Sequence, residues 1–181
     1  DDFLLGFAES TFRQEKYSDV MLIYLCKYFN GPTKQMAELW KAAGEFQIDT
    51  FDLEERILTQ MLYTTDYTPH MEEIYESYCA GGGRDLVCMA YLSYFANMYL
   101  TEDAVVPEHV FRQIRERYLT GGDLNRVCRI ALLKYLSENH LSERDRKIAD
   151  ELLDTCIRHN LYFAFFRKFD EKLLRKYQLT D

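Results

Sequence analysis

The sequence predicts an all-α fold, with about ten helices paired into roughly five antiparallel hairpins as a right-handed α-solenoid. Three observations predict it. The three prolines, Pro32, Pro69 and Pro107, stand 37 and 38 residues apart, each in front of apolar residues at helical spacing. Proline is tolerated at the first helical position, where its missing N–H would lack an intrahelical partner anyway. Near-equal spacing therefore implies one supersecondary unit repeated along the chain. Second, four segments starting at Asp19, Asp52, Asp85 and Asn125 superimpose, as DVMLIYLCKYF, DLEERILTQML, DLVCMAYLSYF and NRVCRIALLKY, at offsets of 33, 33 and 40. Third, no segment alternates apolar and polar residues over the length of a convincing strand.

Taken in order, helices are expected near 2–14, 18–30, 33–45, 51–64, 69–80, 84–99, 107–119, 123–138, 142–159 and 162–177. Thr68-Pro69 reads as an N-cap followed by proline, with Glu72 and Glu73 at the positive end of the helix dipole. Ser142 with Asp145 three residues on resembles a capping box, with Leu141 as a hydrophobic staple. Asp19, Asp52 and Asp123 stand near other helix starts. Asn30-Gly31, Gly81-Gly82-Gly83 and Gly121-Gly122 mark helix ends, where a left-handed residue closes the last turn. Short connections force neighbouring helices to lie antiparallel. The seven extra residues of the last offset lengthen the joint around 101–106.

Within the four superimposed segments, the fifth residue after each start is Tyr24, Ile57, Ala90 and Ile130, and the sixth is Leu25, Leu58, Tyr91 and Ala131. The tenth is Phe29, Leu62, Phe95 and Tyr135. These positions share one helix face, so they form a packed stripe. The alternate helices carry matching sets: Met36, Leu39, Trp40 and Ala43; Met71, Ile74, Tyr75 and Tyr78; Val110, Phe111, Ile114 and Tyr118. One hairpin cannot bury its own apolar face, and stacking neighbours makes the core continuous.

Composition bounds the function. With 181 residues, 48% hydrophobic and 15% aromatic, the chain can bury a full core and is not a disordered tail. We expect a single helical-repeat domain over 1–181. Because the amphipathic pattern is already running at Phe3, Leu4, Leu5 and Phe7, that domain is expected to be a fragment of a longer protein. No apolar run approaches the roughly 18 residues that span a bilayer, so membrane insertion of this segment is not expected. The five cysteines, Cys26, Cys79, Cys88, Cys128 and Cys156, lack C-x-x-C spacing and read as buried thiols in a reducing compartment, hence the cytoplasm. Net charge is −8, with −9 on residues 1–80 and +1 on residues 81–181. An acidic first half argues against nucleic acid as a partner.

Residues that advertise chemistry are few. His70, His109, His140 and His159 are scattered without zinc-ligand spacing and are assigned surface or capping roles. Gly81-Gly82-Gly83-Arg84 lacks the Lys-Ser/Thr of a phosphate-binding loop and reads as a tight turn. Asp49, Asp52, Glu54 and Glu55 cluster at a helix start, where acids are favoured, although paired carboxylates also run glycosidases. Arg112, Arg115, Arg126 and Arg129 pair up on the faces of two successive helices and are the candidate partner-binding residues, as a basic ridge for an acidic partner. Lys168, Lys172, Arg175 and Lys176 complement a helix C-terminus.

The hairpin plan resembles tetratricopeptide-like solenoids in architecture, through the boundary proline and the small and aromatic positions of each second helix. Leu39-Trp40 reverses the order of the W-x-x-L-G-x-x-Y pattern. The chain also resembles the helical region of long, uncharacterised Firmicute proteins grouped as a domain of unknown function, which implies a piece of a larger protein and assigns no residue a role. The expected function is a protein-interaction or scaffolding module without catalytic activity, cofactor or metal. Its partners would be a protein or neighbouring domains of the same chain. The alternative is a helical accessory part of a larger enzyme, for example a carbohydrate-active one.

Overall fold

The computed structural model describes residues 18–64, 67–102, 104–139 and 142–159. Eight helices run through them: α1 (Ser18–Tyr28), α2 (Thr33–Glu45), α3 (Phe51–Thr64), α4 (Met71–Ala80), α5 (Asp85–Thr101), α6 (Glu108–Leu119), α7 (Arg126–Glu138) and α8 (Glu143–Arg158). No strand occurs among the described residues. The eight expected helices between 18 and 159 are all present. The expected helices at 2–14 and 162–177, together with Leu141, His140 and the C-terminal lysines, lie outside the described residues.

The chain divides into two compact units, Asp1–Tyr91 and Leu92–Asp181, and α5 runs across the boundary. In the first unit α1 packs on α2 and α3, α2 on α3, and α3 on α4. Its core includes Leu22, Leu25, Met36, Leu53, Ile57, Leu58, Met61, Ile74, Tyr75 and Tyr78. Tyr75 stacks on Tyr91 with ring centroids 4.5 Å apart, and Phe51 on Tyr78 at 4.9 Å. In the second unit α6 packs on α7 and α7 on α8. There Phe111 stacks on Tyr135 at 4.1 Å and meets Tyr99 edge-on.

Three helix ends share one closure. In α2, α4 and α6 the last turn closes with the same bond from five residues back: Ile48 N–H to Ala43 O, Gly83 N–H to Tyr78 O and Gly122 N–H to Arg117 O. Each turn places one residue in the left-handed region, Gln47 at φ 54°, Gly82 at 84° and Gly121 at 72°. This is the Schellman closure, which returns orphan carbonyls to donors. Gly82 and Gly121 fulfil the expectation from their sequence, and Gln47 meets the same demand with a side chain. Gly31 serves differently: the Phe29 ring lies where a Cβ would stand, 2.3 Å from its nearest atom.

Three expectations need correction. The prolines do not occupy the first helical position. Pro32 and Pro107 are the N-cap residues of α2 and α6, with φ near −56° and carbonyls that accept the first helical bonds. Pro69 lies in a turn before His70, which caps α4. Thr68 is consequently no N-cap, and its Oγ1 is buried without a hydrogen-bond partner. The helix expected from 123 begins at Arg126, because the Asn125 side chain accepts from Cys128 N–H at 3.0 Å. Ser142 does cap α8, accepting from Asp145 N–H at 3.3 Å.

Candidate functional site

The acidic cluster at the start of α3 organises the first unit. Glu54 is only 2% exposed, and its Oε1 accepts three hydrogen bonds: from Trp40 Nε1 at 2.9 Å, Thr50 Oγ1 at 2.9 Å and Ser77 Oγ at 2.7 Å. One carboxylate oxygen thus ties α2, α3 and α4 together. A buried carboxylate is tolerated only when donors surround it. Glu55, next along the helix, accepts from Tyr78 Oη and from both Arg84 Nε and Nη2. The Tyr78 bond, with the Arg84 guanidinium behind it, holds the Glu55 carboxyl below the usual carboxylate range. Burial, with the same bond to Glu55 added, pushes the Tyr78 phenol up.

The superimposed segments show how unusual these two acids are. Glu54 stands where the other segments carry Met21, Val87 and Val127; Glu55 stands where they carry Leu22, Cys88 and Cys128. Acids at two positions that are apolar in the other segments were the readable signal, hidden because carboxylates are ordinary near a helix start.

Arg56 follows and turns the other way. Its Nη1 donates to Phe29 O and its Nη2 to Cys26 O, capping the C-terminus of α1, while Nε donates to Asp52 O at 3.3 Å. Gln60 Nε2 adds a bond to Gly31 O at 3.1 Å. Last-turn carbonyls have no intrahelical donor, and a cation there is favoured by the dipole. Burial pulls the Arg56 guanidinium below its ordinary value. Together Asn30, Glu55, Arg56, Thr59, Gln60, Tyr63 and Arg84 line an open cleft of about 430 Å³, with the Tyr63 ring 84% exposed at its rim.

Among the described residues neither a metal centre nor, at the glycine turn, an anion nest emerges. Among the described residues no three His, Cys, Asp or Glu side chains gather as metal ligands. Every amide N–H from Gly81 to Arg84 is donated within the turn, the last to Tyr78 Oη at 3.1 Å. The expected histidine roles hold in part. His159 is an exposed C-cap and His70 caps α4 without a side-chain bond, but His109 is buried in the core of α6.

The four candidate arginines lie in the second unit. Arg112 is exposed on α6, and Arg115 is half-buried with Nη2 2.5 Å from Asp145 Oδ1. Arg126 opens α7 exposed, and half-buried Arg129 acts electrostatically on Tyr118 and Cys156. The structure engages Arg115 with α8 and leaves the reading of the other three as it stood.

Among the described residues, the largest exposed apolar side chains at helical spacing belong to the first unit. Val20, Ile23, Tyr24 and Tyr28 form one stripe of α1, all more than half exposed, with the Tyr24 and Tyr28 rings 4.8 Å apart. Lys27 lies over the Tyr28 ring at 5.8 Å. No helix among the described residues is long and apolar enough to cross a membrane.

Compared with known proteins, residues 1–181 match a family model described as the C-terminal part of a family of unknown function, DUF5717. No curated protein and no solved structure matches the chain.

Proposed function

The chain belongs to the DUF5717 family of unknown function, and from its geometry we propose that it works there as a non-catalytic helical-repeat module for protein interaction or scaffolding. The observation that carries the reading is the α1 stripe of Val20, Ile23, Tyr24 and Tyr28. Contiguous apolar side chains on a polar surface cost solvation and commonly mark contact sites, and tyrosine supplies contact area at low entropic cost. In the superimposed segments the position of Tyr24 is filled by Ile57 and Ile130, both fully buried, and by half-buried Ala90. A repeat that exposes what its siblings bury presents a face for another helix.

The solenoid belongs to the same proposal. It is supported by the recurring left-handed closure of α2, α4 and α6, and by burial of the sixth position in all four superimposed segments. The arginine pairs remain a second proposed face, with Arg112 and Arg126 as its exposed members and Arg115 and Arg129 as its half-buried ones. What supports a non-catalytic role is the internal engagement of the acidic cluster: Glu54 and Glu55 hold neighbouring helices, and Asp49 accepts from Phe51 N–H at 3.1 Å. Five cysteines outside any disulfide fit the proposed cytoplasmic setting.

The test is site-specific photocrosslinking in native cells, with benzoyl-phenylalanine at Tyr24, Tyr28 or Arg112, and at exposed Leu86 as control. Adducts to one protein, or to another part of the parent chain, concentrated at 24 and 28 support the reading. Adducts confined to 112 move the face to the arginines. Equal or absent adducts at all four positions overturn it.

A further inference from the structure

Cys79 and Cys88 carry a property that the interaction reading does not use. Cys79 is the next-to-last residue of α4 and Cys88 lies in the first turn of α5, so the two bracket the glycine turn. Their sulfurs stand 2.7 Å apart without a disulfide. Cys79 is half-buried, whereas Cys88, like Cys26, Cys128 and Cys156, is buried. We propose that Cys79 and Cys88 are a modification site: a dithiol that a hydroperoxide converts reversibly into a disulfide stapling α4 to α5.

The geometry assigns the order of events. Cys79, the less buried of the two residues, attacks a peroxide oxygen as its thiolate. The O–O bond breaks, the departing oxygen leaves as water after taking up a proton, and Cys79 becomes a sulfenic acid. Cys88 then attacks the Cys79 sulfur. The S–S bond forms, the S–O bond breaks, and hydroxide leaves with the Cys88 proton as a second water. Two thiols lose two electrons and hydrogen peroxide gains them, giving one disulfide and two waters. A dithiol reductant reverses the step by exchange.

Proximity confers the selectivity. A sulfenic acid with a thiol in contact condenses before it meets more peroxide, whereas an isolated one is oxidised onward. Burial also keeps the other thiols protonated: the Cys26 thiol is pushed up to about 11, and Cys128 and Cys156 are raised in the same way. The staple would fix the turn that holds Gly82 in its left-handed conformation and positions Arg84 at the cleft wall.

The test uses the 181-residue chain, reduced, desalted and treated with hydrogen peroxide at a dose that oxidises glutathione in the same tube. Denaturation with N-ethylmaleimide then counts the remaining thiols by intact mass. The label number is expected to fall from five to three and to return after dithiothreitol. Trypsin cuts after Arg84, between the two cysteines. The peptide ending at Arg84 and the one beginning at Asp85 should therefore appear joined, two hydrogens lighter than their sum. Cys79→Ser should hold four labels before and after peroxide. Because the joined peptides are read on the unaltered chain, a poorly folding variant does not decide the matter. Five labels retained after peroxide overturn the proposal. So does a sulfinic acid at Cys79 beside a labelled Cys88, or a disulfide that uses Cys26, Cys128 or Cys156.

Discussion

Single residues in this chain fill roles that the backbone imposes on their positions. Gln47 occupies the left-handed turn position that Gly82 and Gly121 fill elsewhere, at φ 54°. That conformation costs an L-residue about 1–2 kcal/mol, part of which glycine gives back as chain entropy. Gln47→Gly should therefore raise stability by about 0.5–1 kcal/mol, read as a higher urea midpoint at unchanged slope. A lower midpoint would show that the Gln47 side chain does more than fill the turn. Glu55 supplies a pH-dependent term. Its folded value lies below the ordinary 4.5, so the stabilisation is present above that value and disappears as pH falls through the lower folded value. Glu55→Gln should cost about 1 kcal/mol at pH 7, and the gap from the unaltered chain should close below pH 4.5. A gap that persists in acid would assign the loss to packing rather than charge. The sequence hid both roles, because a glutamine after a helix and a glutamate within its first turns look ordinary in isolation.

Helices in each unit are fastened by a cation borrowed from the next helix but one. Arg56 of α3 caps the C-terminus of α1 through Cys26 O and Phe29 O. In the second unit Lys134 of α7, only 7% exposed, donates to Tyr99 O in the last turn of α5 at 3.2 Å and sits 4.2 Å from the Tyr99 ring centroid. The two cations are not at the same repeat position, yet each delivers a positive charge to orphan carbonyls. Arg56→Met keeps the aliphatic stem and removes the donors. It should cost about 2 kcal/mol, and amide exchange should accelerate in the last turn of α1 more than in α4. Uniform acceleration across the first unit would mean that Arg56 supports the core rather than one helix end. Helix existence was legible because the apolar stripes recur at a helical period and glycine marks the ends. The caps were not, since a basic residue inside a helix reads as a solvated face until the carbonyls it reaches are known. The same limit misplaced Thr68, whose N-cap appearance depended on Pro69 opening a helix that begins two residues later.

Across the superimposed segments, one position separates buried side chains from an exposed one. The fifth residue of the superimposed segments is Tyr24, Ile57, Ala90 and Ile130, and the sequence assigns all four to a single packed stripe. The structure divides them: Ile57 and Ile130 are buried, Ala90 is half-buried, and Tyr24 is exposed beside Val20, Ile23 and Tyr28. Periodicity reports which side of a helix is apolar, not whether a neighbour covers it, so the sequence could not make this division. Substitution can. Ile57→Ser and Ile130→Ser each bury a hydroxyl and open a void, and should cost about 3–4 kcal/mol. Tyr24→Ser, on an exposed face, should change stability by less than about 0.5 kcal/mol. The comparison is made by chemical denaturation of the three variants beside the unaltered chain. If Tyr24→Ser proves as costly as the isoleucine changes, its ring is part of the core and the stripe on α1 is no contact surface. If it is silent in stability while Tyr24 crosslinks in cells, the cost of exposing that ring is borne for a partner rather than for the fold.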